Sequence, residues 1–482
     1  MENVKIVNPK SNVKYIALSY CWGEDDSMRL TRADLYTWQQ AIAISRLPKT
    51  IQDAIISTRL LGFEYLWVDR LCIIQDDPAD IHQEIAAMPE VYRRATLTIS
   101  ASSAKSSNEG FLHTSTATYQ KLDQSLVALR YRCSDARYGR AILNRQTARD
   151  DLVDTRSPVN RRAWIMQEQM LSTRLVQFGS EQIHWICKCF AFKQWHNGIE
   201  IKTEAQDKGN FYQPRDMDFE WAWASIVVDY TQRALSVQTD KLLAIAAVAQ
   251  DISMRIDEPT RYLAGIWQHQ LPKNLMWRVY GEKKRLRPSS YRSPSWSWAS
   301  VDGEITPDYF GWETSYTILL TIRQCTVTPV SPILPFGAVF SGYITVSGRL
   351  RKMNLDVDTY ILASSTVENE GEFLQGLPDA CDENIPGNLT GKWRLVSCLE
   401  VGYKFIEGGN DKDPQPCYPF GLILTAPTGC HHTSRGYVDE EAGTKFSAEE
   451  VFQRVGVFES ENLVTSKIIS FENCPVKEIT VV

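Results

Sequence analysis

Three short apolar runs, separated by two amphipathic stretches, organise the N-terminal part of the chain. Tyr15-Ile16-Ala17-Leu18-Ser19-Tyr20, Tyr65-Leu66-Trp67-Val68-Asp69 and Leu97-Thr98-Ile99-Ser100 are near-continuously apolar, and each ends on a polar residue. Such runs are the mark of strands covered by helices on both faces of a parallel sheet. Between the first two, Ile51, Ala54, Ile55, Thr58 and Leu61 recur at helical spacing, with Pro48 at the helix start and Gly62 after its end. Between the second and third, Asp77 is a predicted N-cap, Pro78 takes the first helical position, and Asp80 complements the positive end of the dipole. That helix is expected to run to about Arg94, although Pro89 removes a backbone bond just after Met88. The alternation predicts a βαβαβ unit. Ligands of open parallel sheets sit outside the carboxyl ends of the strands, so Ser19, Asp69 and Ser100 are expected along one rim.

Further on, the pattern changes twice. Ser102 to Ser115 reads as a polar surface loop, Leu126 to Tyr131 as a strand, and Ser157-Pro158-Val159-Asn160 as the lead into a helix carrying Trp164, Met170 and Leu171. From Glu220 to Ile256 the spacing is helical, with Leu242 to Val248 a buried helix that starts at Lys241. Trp296 and Trp298 alternate with serines, which predicts two indoles on one face of a strand, more often core than a stacking platform. Beyond residue 310 come short β-rich runs at Tyr316–Val327, Tyr343–Leu350, Trp393–Val401, Phe420–Thr425, Val451–Phe458 and Lys477–Val481. They predict an antiparallel sheet or irregular β-sandwich, with 366–391 and 407–417 as exposed loops. The fold class is an α/β N-terminal domain, a helical region and a β-rich C-terminal domain, α+β taken together.

Composition narrows the function classes. The 482 residues suffice for two or three domains, and 43% hydrophobic with 23% charged is ordinary for a globular protein. A formal charge of −6 and the lack of a long Lys/Arg run give no reason to expect nucleic acid. Met1-Glu2-Asn3-Val4-Lys5 lacks the apolar core of a secretion signal, and no window approaches ~18 uninterrupted apolar residues. Eleven scattered cysteines read as reduced core thiols, and the expected location is the cytoplasm. His184, Cys187, Cys189 and His196 invite a zinc reading, but Cys-x-Cys is tighter than structural zinc sites use, and Ile183 to Cys187 reads equally well as a strand. Cys430-His431-His432 is a weaker cluster, and no metal is expected. There is no Gly-x-Gly-x-x-Gly after the first strand, no Gly-Lys-Ser/Thr loop and no Gly-x-Ser-x-Gly elbow. Redox dinucleotide, NTPase and serine hydrolase sites of those types are therefore unsupported.

Three blocks carry a specific resemblance: Ala17 to Gly23, Leu47 to Ile55, and Leu66 to Asp77. With Glu84, Met88, Val91-Tyr92, Ala95 and then Arg162-Ala163-Trp164-Ile165-Met166-Gln167-Glu168, they resemble the fungal heterokaryon-incompatibility (HET) domain in order and spacing. Tyr262 to Trp267 and Pro294 to Ser300 are similar to segments that follow this domain in many fungal proteins. The resemblance implies a HET domain over 1–200, with a core at 13–112 and a second block at 157–190. A helical connecting region at 201–300 and a β-rich domain at 301–482 complete the expected organisation. Ile81 departs from the pattern, since many members carry Trp after the Asp that opens this helix.

The resemblance also implies chemistry. The HET domain is held to be related to the TIR domain, whose members assemble as signalling scaffolds or cleave the glycosidic bond of NAD. On that implication Glu84 is the candidate catalytic carboxylate. Ser19, Tyr20, Trp22, Asp69 and Arg70 are candidate ligand-binding residues, and Trp164, Gln167 and Glu168 are second-block candidates. A carboxylate beside the scissile bond would stabilise the oxocarbenium-like centre formed as nicotinamide leaves. NAD enters as substrate, with no resident cofactor expected. The structural alternatives are an ion pair of Glu84 with Arg59, Arg70 or Arg93, and a buried Glu168 bonded to Arg161, Arg162 or Arg174. The expected role is an effector of non-self recognition and programmed cell death, with a homo-oligomer or an incompatibility partner protein as its partners. Two other classes stay open: a non-enzymatic module that signals by self-assembly, and a scaffold recruited as a secondary-metabolism enzyme.

Overall fold

The computed structural model of the chain describes residues 3–9, 12–24, 28–112, 126–132, 138–144, 157–180, 183–187, 190–194, 200–204, 219–256, 259–281, 287–306, 315–364, 373–380, 393–405, 417–427, 432–433, 436–439, 444–446, 451–459 and 470–482. The chain divides into two compact units, Met1–Gln213 and Pro214–Val482. Among the described residues no helix is long and apolar enough to cross a membrane.

The N-terminal unit is built on the expected βαβαβ core. Strand β1 (Tyr15–Ser19) leads through α1 (Lys49–Leu60) to β2 (Tyr65–Trp67), and α2 (Pro78–Arg94) leads on to β3 (Leu97–Ser100). Strand β1 pairs in parallel with β2 on one side and β3 on the other. Beyond β3 the sheet gains a fourth parallel strand, β4 (Arg174–Phe178), fed by α3 (Ala163–Leu171). It then turns antiparallel through β5 (Ile183–Cys187), β6 (Phe190–Gln194) and β7 (Glu200–Glu204). His184 and Cys187 thus lie on a strand, whereas Cys189, His196, Cys430 and His431 fall outside the described residues. The expected strand at Leu126–Arg132 pairs with Tyr138–Asn144.

Local chemistry explains the helix boundaries. Asp77 Oδ1 accepts from the Ala79 and Asp80 amides at the start of α2, and Pro78 takes the first position, where its missing N–H costs nothing. Pro89 does not end α2, which continues to Arg94. Gly62 follows α1 with φ +78°, the left-handed turn that glycine adopts freely. The first β-α crossover runs outward from β1 and the second runs back over it, which with right-handed connections puts α1 and α2 on opposite faces. On the α1 face Ile16, Leu18, Leu97 and Ile99 pack with Ile51, Ala54 and Ile55.

Two expectations about this unit change. The loop expected at Ser102 to Ser115, described as far as Leu112, is only partly solvated: Lys105, Asn108, Glu109 and Leu112 are exposed, whereas Ser102, Ala104, Ser107 and Phe111 are buried. Its backbone is held by Asp53 Oδ2, which accepts from the Phe111 amide at 2.9 Å and the Leu112 amide at 3.1 Å. The second strand also ends two residues early, because Asp69 opens a short helix, Asp69–Cys72.

In the second unit, α4 (Phe219–Thr231) and α5 (Ala246–Ser253) supply the helices. Leu243–Ile245 is a tight 3₁₀ turn in place of the expected start of a helix, and Lys241 is buried with Nζ donating to the Val301 carbonyl. Trp298–Ser300 is likewise a 3₁₀ turn and not a strand. Both indoles, Trp296 and Trp298, are core, with Trp298 Nε1 donating to the Gly265 carbonyl at 2.8 Å.

The β-rich part closes on itself. The long strand β8 (Val339–Asp356) pairs with β9 (Ile361–Ser364) and β11 (Trp393–Phe405). From β11 the ladder runs through β12 (Cys417–Thr425) and β13 (Val451–Glu459) to β10 (Phe373–Pro378), and so back to β9. The expected antiparallel sheet is thus present and closed into a ring, and Phe373–Pro378 is a strand inside the stretch expected to be loop. Its interior holds Met353, Leu355, Leu362, Val396, Ile423 and Phe458. The first half of β8 leaves the ring to pair with Thr321–Pro329 and Val476–Val481.

A buried ion pair anchors this unit. Arg454 of β13 is fully buried and gives Nε and Nη2 to Asp379, both at 2.9 Å. Nη1 donates to the Leu275 carbonyl and Nη2 also to the Trp277 carbonyl, and the guanidinium lies 3.5 Å from the Trp277 ring centroid. Removing Arg454 leaves the buried Asp379 with the longer contact to Arg287, at 3.4 Å, so Arg454→Met is expected to destabilise the protein by about 3 kcal/mol in chemical denaturation.

Candidate functional site

The polar residues of the N-terminal unit gather where the parallel strands end. Ser19 stands level with Ser100, and Ala17 with Trp67, so Asp69 emerges two residues further, level with Ser19. Asp69 is fixed from two sides. The Trp22 indole Nε1 donates to Oδ2 at 2.7 Å, and the Arg70 amide donates to Oδ1 at 2.6 Å. The Arg70 guanidinium lies over the Trp22 ring, 4.7 Å from its centroid, and Nη1 donates to Ser107 Oγ at 3.3 Å. Trp22 is placed by Gly23, whose φ is +77° and whose missing Cβ would stand 2.6 Å from Ser106 Cβ. Only glycine meets both demands without displacing the 101–112 segment.

The second half of the site comes from α3. Along β1, Ile16 and Leu18 face α1, so Tyr15, Ala17 and Ser19 face the other way, toward α2 and α3. Tyr15 donates its hydroxyl to the Val91 carbonyl of α2 at 2.7 Å, and Ser172 at the end of α3 donates to Thr98 Oγ1 of β3 at 2.7 Å. These bonds hold both helices over that face. Glu168, buried on α3, lies against the Ser19 and Tyr92 hydroxyls. Arg162, at the head of α3, donates Nη1 to the Tyr20 carbonyl at 2.7 Å.

Burial and neighbouring charges divide the carboxyl groups. Burial raises the Asp69 carboxyl above its ordinary range, against the opposing effects of Arg162, the Trp22 indole and the Arg70 amide. Burial also pushes the Glu168 carboxyl up, from 4.5 to about 7; Ser19 draws it down, the Asp69 charge adds to the rise, and Arg162 and Tyr92 oppose it. Glu84, half-buried on α2, is raised by burial and then by the Asp80 charge. Burial pushes the Cys72 thiol up to about 11, and both Asp69 and Glu84 act on it. Among the described residues Ser19 Oγ, Tyr20 Oη and Glu168 Oε2 are buried without a hydrogen bond of ordinary geometry. Such atoms are uncommon in folded proteins and mark a place where water or a ligand is accommodated.

The comparisons with known proteins bear on this same stretch. The family model described as heterokaryon incompatibility protein (HET) matches residues 15–168, from the first residue of β1 to the Glu168 carboxyl. The chain carries a HET domain. No curated protein and no solved structure matches the chain.

Within the HET domain, the structure brings Ser19, Tyr20, Trp22, Asp69 and Arg70 together with Glu168. Gln167, buried, and Trp164, half-buried, share α3 with it. Glu84 stands apart from the Asp69–Trp22–Arg70 cluster, on α2, and the charges of both Glu84 and Asp69 act on the Cys72 thiol. It has no ion pair among the described residues: Arg93 bonds Glu90 at 2.7 Å, and Arg70 lies on Trp22. Glu168 is buried as the structural alternative holds, but Arg162 acts on it through charge while its hydrogen bond goes to Tyr20. Three contributors were not singled out as site residues. Tyr92 reads in sequence as one more position of the family pattern, and Ser107 as one of many loop serines. Arg162, at the head of the second block, had the clearest signal.

The elevated Glu168 carboxyl gives a testable pH dependence. Its folded value lies above its unfolded one, so its contribution is fully present below about pH 4.5 and is lost as the pH rises through about 7. The loss is on the order of 3 kcal/mol. Glu168→Gln, which keeps the shape and cannot ionise, is expected to be more stable than wild type at alkaline pH and to show a flatter dependence of Tm on pH. Parallel curves for the two proteins would contradict this.

Proposed function

We propose that the protein is a heterokaryon-incompatibility effector of fungal non-self recognition and programmed cell death, acting in the cytoplasm, whose HET domain cleaves the bond between nicotinamide and ribose in NAD. One observation carries this reading: on α2 a half-buried carboxyl, Glu84, has no ion pair among the described residues and acts, together with the anchored Asp69, on the Cys72 thiol. The chemistry suits such a group. As the bond from C1′ to the pyridinium nitrogen breaks, the electron pair leaves with nicotinamide, which becomes neutral, and positive charge develops on the ribose. A carboxylate beside C1′ stabilises that charge, and water then adds to C1′ and loses a proton. In this reading Asp69 and Ser19 bind ribose hydroxyls, Arg70 and Arg162 face the phosphates, and Trp22 or Tyr20 stacks a ring. The TIR-like descent of the mechanism belongs to the proposal.

Incubating the purified full-length protein with NAD and following nicotinamide release tests the reading. Glu84→Ala is expected to lower the rate by at least about 10²-fold with little change in Tm. No release by wild-type protein, also when oligomerised, would overturn it. A second reading is then favoured by the mutual pairing of Trp22, Asp69 and Arg70, which ties the rim together as a structural latch. The HET domain would in that case signal by self-assembly as a homo-oligomer or through an incompatibility partner.

A further inference from the structure

We propose that the Glu168 carboxyl is a positioning group that decides, through the Ser19 hydroxyl, whether the sheet rim offers a bound ligand a hydrogen-bond donor or an acceptor. The proposal rests on the rim being a ligand site and deepens that reading. Its basis is strand register. Ser19 of β1 is level with Ser100 of β3, Ser100 with Gln177 of β4, and Gln177 with His184 of β5. Register partners point to the same face of a sheet, so the four side chains form one row across four strands on the face that α3 covers. All four are buried. Such a row is ordinarily apolar, and its polar filling here needs an account.

The row has a direction. Gln177 Nε2 can only donate, and Glu168 Oε2, when ionised, can only accept. Neither these atoms nor Ser19 Oγ has a hydrogen bond of ordinary geometry among the described residues, while the Ser19 hydroxyl lies against the Glu168 carboxyl. Between the two ends lie hydroxyls, which act in either sense: Ser19, and Ser100, whose Oγ is 2.9 Å from Ser102 Oγ. Neighbouring strands lie about 4.8 Å apart, a separation that one ordered water bridges between short polar side chains. With Glu168 ionised, hydrogens run toward it and Ser19 turns its O–H inward, leaving lone pairs for the rim. With Glu168 protonated, its O–H donates to Ser19 Oγ, and Ser19 turns its hydrogen outward.

Several groups facing Glu168 set the balance. Ser19 comes from β1, the Cys21 thiol from just beyond it, Tyr92 from α2, Asp69 from the turn after β2, and Arg162 from the head of α3. Tyr92 donates to the Leu18 carbonyl at 3.2 Å, so its single hydrogen is shared between that oxygen and the carboxylate. His184 closes the far end of the row. A ligand oxygen that only accepts, such as a phosphate, is thus favoured by the protonated state. A ligand hydroxyl that donates is favoured by the ionised one.

Carbon NMR of the full-length protein, labelled at the glutamate carboxyl carbons, tests this. The Glu168 signal is identified by its loss in Glu168→Gln and followed from about pH 5 to about pH 9. Ser19→Ala is expected to raise the Glu168 midpoint by up to about one unit, because the ionised form loses its donor, and Ser19→Thr to restore it. Gln177→Leu is expected to shift it the same way by less. Should Ser19→Ala fail to fold, Ser19→Cys, a weaker donor of similar size, is expected to move the midpoint in the same direction. A midpoint unmoved in folded Ser19 variants overturns the proposal. The readout does not depend on NAD turnover. Intact coupling without nicotinamide release counts against the glycosidic reading alone, and release without coupling counts against the role of Glu168 alone.

Discussion

Successive residues of a strand point to opposite faces, and in the HET domain that constraint separates packing from chemistry. On one face, Ile16, Leu18, Leu97 and Ile99 make an ordinary apolar layer with α1. On the other, Ser19, Thr98, Ser100 and Gln177 are polar, and all four are buried. A one-residue slip of β1 would exchange the two sets and put Leu18 where Glu168 now meets a hydroxyl. The tight apolar layer therefore fixes the register that the polar layer needs. Parallel pairing extends this over four strands, since β2, β1, β3 and β4 all end toward the same side.

At that side the charged groups are sorted by what solvates them. Asp69 is held by an indole N–H and a backbone amide, which replace part of its lost water. Glu168 has an incomplete set of partners, and burial dominates its proton affinity. Burial raises both carboxyl groups of this polar cluster, and the Asp69 charge adds to the rise of Glu168. Arg162 acts on both, and its hydrogen bond to the Tyr20 carbonyl ties α3 to the end of β1. The pairing of segments far apart in the chain is thus electrostatic as well as steric.

The βαβαβ core was legible because strand and helix periods are local signals, with Asp77, Pro78 and Gly62 marking boundaries by well-understood backbone chemistry. The same holds for most of the C-terminal strands, whose alternation and flanking turn residues are local too. Closure of the ring was not legible, since it depends on the pairing of β9 with β8 and of β10 with β13, which no short stretch encodes. The Trp296–Trp298 alternation misled for a related reason: spacing of two suits a strand, but Ser297 caps a 3₁₀ turn by accepting from the Ala299 amide, and the indoles are drawn into the core. In the site, Asp69, Trp22 and Arg70 were recognisable as neighbours at a strand exit. Glu168 was recognisable only through family resemblance, because its meeting with Ser19 spans the whole HET domain. Glu84 likewise entered through the resemblance, and it is half-buried on α2.

The closed ladder of the C-terminal unit has a consequence for recognition. A strand with a partner on each side has its amide and carbonyl groups engaged, so an incoming peptide cannot add itself as a further strand to β9, β10, β12 or the ring half of β8 without breaking existing bonds. Anything that docks on this ring has to be read by side chains and loops, where sequence can diverge without cost to the ladder beneath.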